Sequence, residues 1–164
     1  MGTSETNKDL IIMLNDLVII NNDRKEGYKK AEMQVGNNTD LQSIFKDKSQ
    51  QSTGFSNELK LHIQILGGNF NEETSLAGKL LRTWMSIKNT VKPNNSTSIL
   101  DSCEFGEDAA IKAYDYALRS NTEIPAEIRQ HILEQQTAIK KSNDLIKKYR
   151  DLNLNHFNYN KSFT

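Results

Sequence analysis

Apolar side chains recur along the chain at steps of three or four residues, the spacing that places them on one face of an α-helix. The pattern predicts four long helices, at about 8–34, 39–66, 97–119 and 125–152. Gly36 and the pair Gly67-Gly68 follow the first two segments, as glycines at helix ends do. Thr39 or Asp40 is expected to cap the second helix. The chain is therefore predicted to be all-α.

The connections between the predicted helices differ in length. Short segments join the first two helices and the last two, which predicts two antiparallel hairpins. Residues 67–96 form a long connection that can cross the bundle, and an amphipathic stretch at 76–88 predicts a short helix within it. One long crossover is the connectivity of ferritin-like bundles. We therefore predict a ferritin-like four-helix bundle in a single domain, 1–164, with its core at about 8–152 and flexible ends.

Glu107 interrupts the apolar face of the third predicted helix. That face otherwise carries Ile99, Leu100, Cys103, Ala110, Tyr114 and Ala117. An isolated buried carboxylate is too costly to persist, so Glu107 must be paired, protonated or bound to a metal. The identity of its partner decides whether the chain resembles a metalloprotein or a bundle with a polar core.

Further polar residues fall on the predicted inner faces, near the middle of each helix. They are Asn21, Arg24, Lys48, Gln51, Ser52, Gln135 and Ser142. We expect a buried polar network in which Arg24 or Lys48 neutralises Glu107. The alternative is that both cations extend to the rim and leave Glu107 solvated in a cleft. In the first case, Glu107→Gln is expected to be tolerated better than Arg24→Met.

Several short segments resemble a known family. They lie at 21–24, 26–28, 66–68, 98–100 and 103–110, and the most specific is the Cys-Glu-Phe-Gly-Glu-Asp run at 103–108, followed by Ala113-Tyr114. The chain resembles, over about 10–152, a bacterial domain-of-unknown-function family described as ferritin-like four-helix-bundle proteins. The resemblance implies the fold and carries over no established activity.

The ligand set of a ferritin-like di-iron centre can be compared position by position. Such centres use a Glu on each of two helices and a Glu-x-x-His on each of the other two. Glu107 stands at one such position, but its counterpart on the first helix is Asn21. Counting back from residues 66–68, as in rubrerythrin-like helices, places Ser52 and Phe55 where a Glu-x-x-His is needed. No Glu-x-x-His occurs in the sequence.

We therefore predict no complete di-iron centre and no cofactor. The alternative is an atypical site for iron or another divalent metal, built from Glu107, His131 and Gln135.

Composition narrows the remaining classes of function. Charge is balanced, with 21 basic and 21 acidic residues, so no global field favours nucleic acid. The apolar runs are far too short for a membrane span, and the polar start of the chain does not read as a signal segment. A single cysteine, Cys103, excludes an internal disulfide and fits a reducing compartment. A cytoplasmic location is expected.

Two functional hypotheses follow. The preferred one is a non-enzymatic structural or protein-interaction role, with a link to stress as one option. In it, the crossover offers a contact surface for a second copy or another protein through Leu76, Leu80, Leu81, Trp84 and Ile87. The other is a metal-binding ferritin-like protein or oxidoreductase with an atypical site around Glu107. The missing histidine ligands favour the first hypothesis.

Overall fold

The computed structural model of the chain describes residues 5–71 and 95–162, and these residues form helices and turns without strands. The four helices are α1 (Glu5–Gln34), α2 (Thr39–Ile65), α3 (Ser96–Arg119) and α4 (Ala126–Lys161). The all-α prediction and the number of long helices in these ranges are confirmed. The short helix predicted at 76–88 and the extreme ends of the chain lie outside the described residues.

Two of the predicted helix ends are wrong. The cap of α2 is Asn38, whose backbone is extended (φ −76°, ψ 90°) and whose side chain accepts a hydrogen bond from the backbone N–H of Leu41 at 3.1 Å. Thr39 and Asp40 already belong to the helix, so neither can be its cap. α4 runs to residue 161 instead of 152, because no glycine or proline follows to end it.

The glycines at the end of α2 behave as predicted. Gly67 has a positive φ of 87°, and its N–H donates to the carbonyl of Gln64 while that of Gly68 donates to the carbonyl of Ile63 (3.0 and 2.9 Å). This pair of bonds is the Schellman ending of a helix. A Cβ on Gly68 would lie 2.7 Å from the side chain of Ile11, so the close packing of this turn on α1 also requires glycine.

Side-chain hydrogen bonds between helices define their directions. The pairs are Asn22–Ser56 and Arg24–Ser52 for α1 and α2, Asn21–Tyr114 and Arg24–Glu107 for α1 and α3, Asp108–Asn143 and Asp115–Gln136 for α3 and α4, and Glu58–Gln135 and His62–His131 for α2 and α4. In each set, residue numbers rise along one helix and fall along the other, so the helices are antiparallel. α2 and α3 are therefore parallel, and Ile65 and Ser96 lie at opposite ends of the bundle. One long connection between them is required.

Packing around the bundle is uneven. α1 packs most extensively on α2, α3 packs next most extensively on α4, and α1 also contacts α3, whereas α2 and α4 touch least. The apolar core has two parts. One includes Leu14, Leu17, Ile63, Ile132 and Ile139, and the other includes Leu41, Phe45, Ile99, Leu100 and Ile146. The buried polar side chains in the middle of the helices lie between these two clusters.

Candidate functional site

Two charged side chains lie fully buried in the middle of the bundle. Arg24 on α1 donates from Nε to Oε1 of Glu107 on α3 at 2.5 Å, and from Nη2 to Oε2 at 2.9 Å. Both side chains are 0% exposed. Two parallel N–H groups facing two carboxylate oxygens give the strongest recognition of a carboxylate by arginine. Each buried charge is thus neutralised at contact distance.

The other donors of Arg24 reach α2. Nη1 donates to Oγ of Ser52 at 2.8 Å and, at 3.5 Å, to the backbone carbonyl of Lys48. The Tyr28 ring lies alongside the guanidinium, with Cζ of Arg24 5.2 Å from the ring centroid, within the range of a cation–π contact. A single side chain from α1 therefore links α2 and α3.

Burial and the ion pair set the protonation of the groups around them. Burial lowers the pKa of Arg24, but the charge and hydrogen bonds of Glu107 raise it by more, so the guanidinium stays charged. Burial and then the Glu107 carboxylate raise the pKa of the Tyr28 hydroxyl and of the Cys103 thiol. Both groups are therefore neutral near pH 7, and Cys103 is not a thiolate nucleophile.

A second chain of hydrogen bonds, buried except at its end on Glu58, lies beside the ion pair. The side-chain amide of Asn21 donates to the Tyr114 hydroxyl at 2.8 Å, and that hydroxyl donates to Oε1 of Gln135 at 2.6 Å. Gln135 in turn donates from Nε2 to Oε1 of Glu58 at 2.9 Å. This chain crosses all four helices, and burial raises the pKa of the Tyr114 hydroxyl, so it remains a neutral donor.

The structure distinguishes the two predicted counter-ions of Glu107. Arg24 makes the pair, whereas Lys48 contributes its backbone carbonyl and has a half-buried side chain. Burial and then the charge of Arg24 lower the pKa of Lys48. The alternative in which Glu107 is solvated in a cleft does not hold, because its side chain is fully buried.

The remaining predicted network residues take different places. Ser52 bonds to Arg24, as described above, and Asn21 and Gln135 belong to the second chain. Ser142 is buried, and its hydroxyl acts to lower the pKa of Tyr28, by less than burial raises it. Gln51 is half-buried, and its Oε1 has no hydrogen-bond partner within the part of the chain that the structure describes.

The structure does not bring together the residues of the alternative metal site. Gln135 bonds to Tyr114, and Glu107 is held by Arg24. His131 Nδ1 instead lies 2.7 Å from Nε2 of His62. Across residues 5–71 and 95–162, no group of three His, Cys, Asp or Glu side chains is placed to hold a metal ion.

The contact between His62 and His131 is a feature that periodicity alone does not reveal. Each histidine is unremarkable on its own helix, one near the end of α2 and the other near the start of α4. The informative signal is topological, since the end of one antiparallel helix meets the start of its neighbour. The direction of α2 and α4 is needed before the two positions can be compared.

Exposed large apolar side chains occur on all four helices of the described surface, two on each. Phe105 and Tyr116 on α3 are 60% and 64% exposed, and Ile12 on α1 is 47% exposed. Ile12 and Tyr116 line one groove together with Asp9 and Met13. The five apolar residues of the predicted crossover surface lie outside the described residues. None of the described helices combines the length and apolarity that crossing a membrane would need.

Comparison with known proteins finds a family that matches most of the chain. A family whose description is Domain of unknown function (DUF2383) matches residues 9–120. The matched range contains most of α1, all of α2 and α3, and both partners of the ion pair. No curated protein matches the chain.

Proposed function

The chain belongs to the DUF2383 family of domains of unknown function, and within it we propose that this protein is a non-enzymatic ferritin-like bundle that acts by protein association. The observation that carries the proposal is the ion pair between Arg24 and Glu107. Glu107 stands where a ferritin-like centre would have a metal ligand, and both of its carboxylate oxygens are instead bound by the guanidinium of Arg24.

The ferritin-like assignment rests on connectivity. α1 is antiparallel to both α2 and α3, α4 is antiparallel to α3, and the two parallel helices are joined by one long segment. Ferritin-like bundles have one such crossover, whereas up-down-up-down bundles have none. The pairing of the described helices supports this connectivity over the alternative.

The residues at the middle of the bundle do not fit a pair of iron ions. Such a centre needs several carboxylates and two histidines. Here Glu107 faces a guanidinium, Asn21 presents its amide donors to Leu17 and Tyr114, and Ser52 accepts a hydrogen bond from Arg24. A metal ion at this place would lie against the positive charge of Arg24, so these residues do not suit a metal centre.

We assign the ion pair a structural role. A buried ion pair adds little stability compared with apolar residues of the same size, but it penalises arrangements that leave either charge unpaired. The guanidinium of Arg24 contacts groups on α2 and α3, so those penalties apply to several helix interfaces. The polar layer thus serves to select one packing of the bundle.

The association itself is assigned to the outer face of α3. Phe105 and Tyr116 are eleven positions apart, which is close to three helical turns, so they share a face. Both side chains are exposed, and Tyr116 lines a groove with the exposed Ile12, so we take this face as the contact surface. We propose that a second copy of the chain covers it. We propose a cytoplasmic location, which the single free cysteine supports because it forms no internal disulfide.

Light scattering of the purified protein tests the association. We expect a mass of about twice 18.7 kDa and a monomer when Phe105→Ser and Tyr116→Ser are combined. Leu61→Ser with Ile65→Ser, which changes exposed side chains of α2, is the matched control and should remain dimeric. A monomeric parent protein would refute self-association, and dissociation by Leu80→Ser alone would move the contact to the predicted crossover surface.

Metal analysis of protein purified without chelator tests the proposal that the bundle has no metal centre. We expect no stoichiometric iron, manganese or zinc. A stoichiometric metal that disappears in Glu107→Ala would overturn the proposal, and its loss in His131→Gln as well would establish the atypical site of Glu107, His131 and Gln135.

A further inference from the structure

Two histidines meet at the seam between α2 and α4, away from the buried ion pair. Nε2 of His62 lies 2.7 Å from Nδ1 of His131, and the ring centroids are 4.9 Å apart. His62 is only 8% exposed, while the side chain of His131 is 30% exposed. Oε1 of Glu58 lies 3.8 Å from the same Nδ1. None of these contacts contributes to the ion pair of Arg24.

Whether this contact is attractive or repulsive depends on how many protons the two imidazole rings carry. A hydrogen bond between two imidazole nitrogens needs one N–H and one lone pair. A neutral pair satisfies this, and so does a pair with one positive charge. When both rings are protonated, each nitrogen carries a hydrogen and two cations face one another at less than 3 Å. The bond is then replaced by repulsion.

The two histidines lie where repulsion between them can separate α2 from α4. α2 and α4 are the least extensively packed neighbours in the bundle. Besides the histidine contact, the hydrogen bonds that join α2 and α4 among the described residues are those that Gln135 donates to Glu58 and, at 3.5 Å, to the carbonyl of Phe55. Few other polar contacts among the described residues therefore resist separation of these two helices.

The charges acting on His62 come from the same two helices. Burial and then His131 lower the pKa of His62, while Glu58 on α2 and Glu127 on α4 raise it by less. The bundle therefore favours neutral His62, and the stability that follows is complete above the ordinary imidazole pKa of about 6.5 and declines as the pH falls below it.

We propose that His62 and His131 form an acid-sensitive latch that holds the end of α2 against the start of α4 and releases this seam when both rings are protonated. Release uncovers apolar side chains beneath it, among them Leu59 and Ile132, both 0% exposed in the closed bundle. The latch does not depend on the proposed self-association, because Phe105 and Tyr116 lie on α3.

Hydrogen–deuterium exchange at pH 7.5 and 5.5, corrected for the intrinsic exchange rate, tests the latch. We expect protection to fall at 58–65 and 127–134 by about tenfold per pH unit for each proton taken up, while the amides around Arg24 remain protected. In His131→Gln, where burial still lowers the pKa of His62 but the second imidazole is gone, this local dependence on pH should become smaller. The matched control is His156→Gln, a substitution toward the opposite end of α4, which should behave like the parent protein.

Two outcomes would overturn the latch. One is unchanged pH dependence at 58–65 in His131→Gln, and the other is a loss of protection spread evenly over all four helices. Should His131→Gln fail to fold, imidazole nitrogen NMR of the parent protein decides instead. His62 must then titrate below the ordinary imidazole pKa, and its titration must coincide with the loss of protection at the seam.

Discussion

Replacing Arg24 by methionine would leave the Glu107 carboxylate buried without its cation. The side chain is 0% exposed, and an uncharged carboxylic acid is the less costly form at such a place. Protonating a glutamate with an ordinary pKa of about 4.3 costs about 3.7 kcal/mol at pH 7, at about 1.4 kcal/mol per pH unit. We therefore expect Arg24→Met to lower the free energy of unfolding by about 3.7 kcal/mol at pH 7, and by only about 1 kcal/mol at pH 5.

Glu107→Gln creates a different problem. Arginine does not lose its proton in proteins, so the guanidinium stays charged among apolar side chains with only neutral acceptors. The expected loss is roughly 3–5 kcal/mol, as for other buried pairs that lose one partner, and it should not change between pH 5 and pH 8. The sequence alone suggests that Glu107→Gln is tolerated better than Arg24→Met. Because both side chains are fully buried, we expect the opposite order at pH 5.

Urea unfolding of both variants between pH 5 and pH 8 measures these dependences, with the parent protein as reference at each pH. The double variant Arg24→Met/Glu107→Leu is the control for packing, since it removes both charges, and its stability should be within about 1–2 kcal/mol of the parent or above it. Equal losses for Arg24→Met at pH 5 and pH 7 would show that Glu107 reaches solvent when unpaired, and would refute the reasoning.

Three further changes have expected results that unfolding or labelling can measure. Tyr114→Phe removes a buried hydroxyl that both donates and accepts, and should cost about 1–3 kcal/mol; Tyr116→Phe, exposed on the same helix, should change stability by less than about 0.5 kcal/mol. Gly67→Ala, at a φ of 87°, should destabilise by about 1–2 kcal/mol, whereas Gly54→Ala, within α2 and with open space at the Cβ position, should stabilise by about 0.5–1 kcal/mol. Thiol reagents should modify Cys103 far more slowly in the folded protein than in urea, because burial raises the pKa of its thiol; equal rates would contradict its buried position.

The predictable and unpredictable parts of this protein differ in physical origin. Periodicity reports which face of a helix is apolar, and it placed Arg24, Lys48 and Glu107 on inner faces. It does not report which long side chain reaches across, because that depends on the positions of neighbouring helices. The apolar pattern places the end of α4 too early for a related reason, since a helix can continue after its apolar face ends. The meeting of His62 with His131 required the relative direction of two helices that are distant in sequence.

The polar layer explains how a bundle with two apolar clusters can select one register. Apolar side chains specify register weakly, because an apolar site accepts different apolar residues of about the same volume. A slip of one turn moves α3 by about 5.4 Å along α1, which exceeds the 2.5 and 2.9 Å contacts of Arg24 with Glu107. Both charges would then be buried unpaired, and the Asn21–Tyr114 bond would break at the same time. A pair that adds little stability compared with apolar residues of the same size therefore restricts how α1 and α3 can pack, because breaking it leaves two buried charges unpaired.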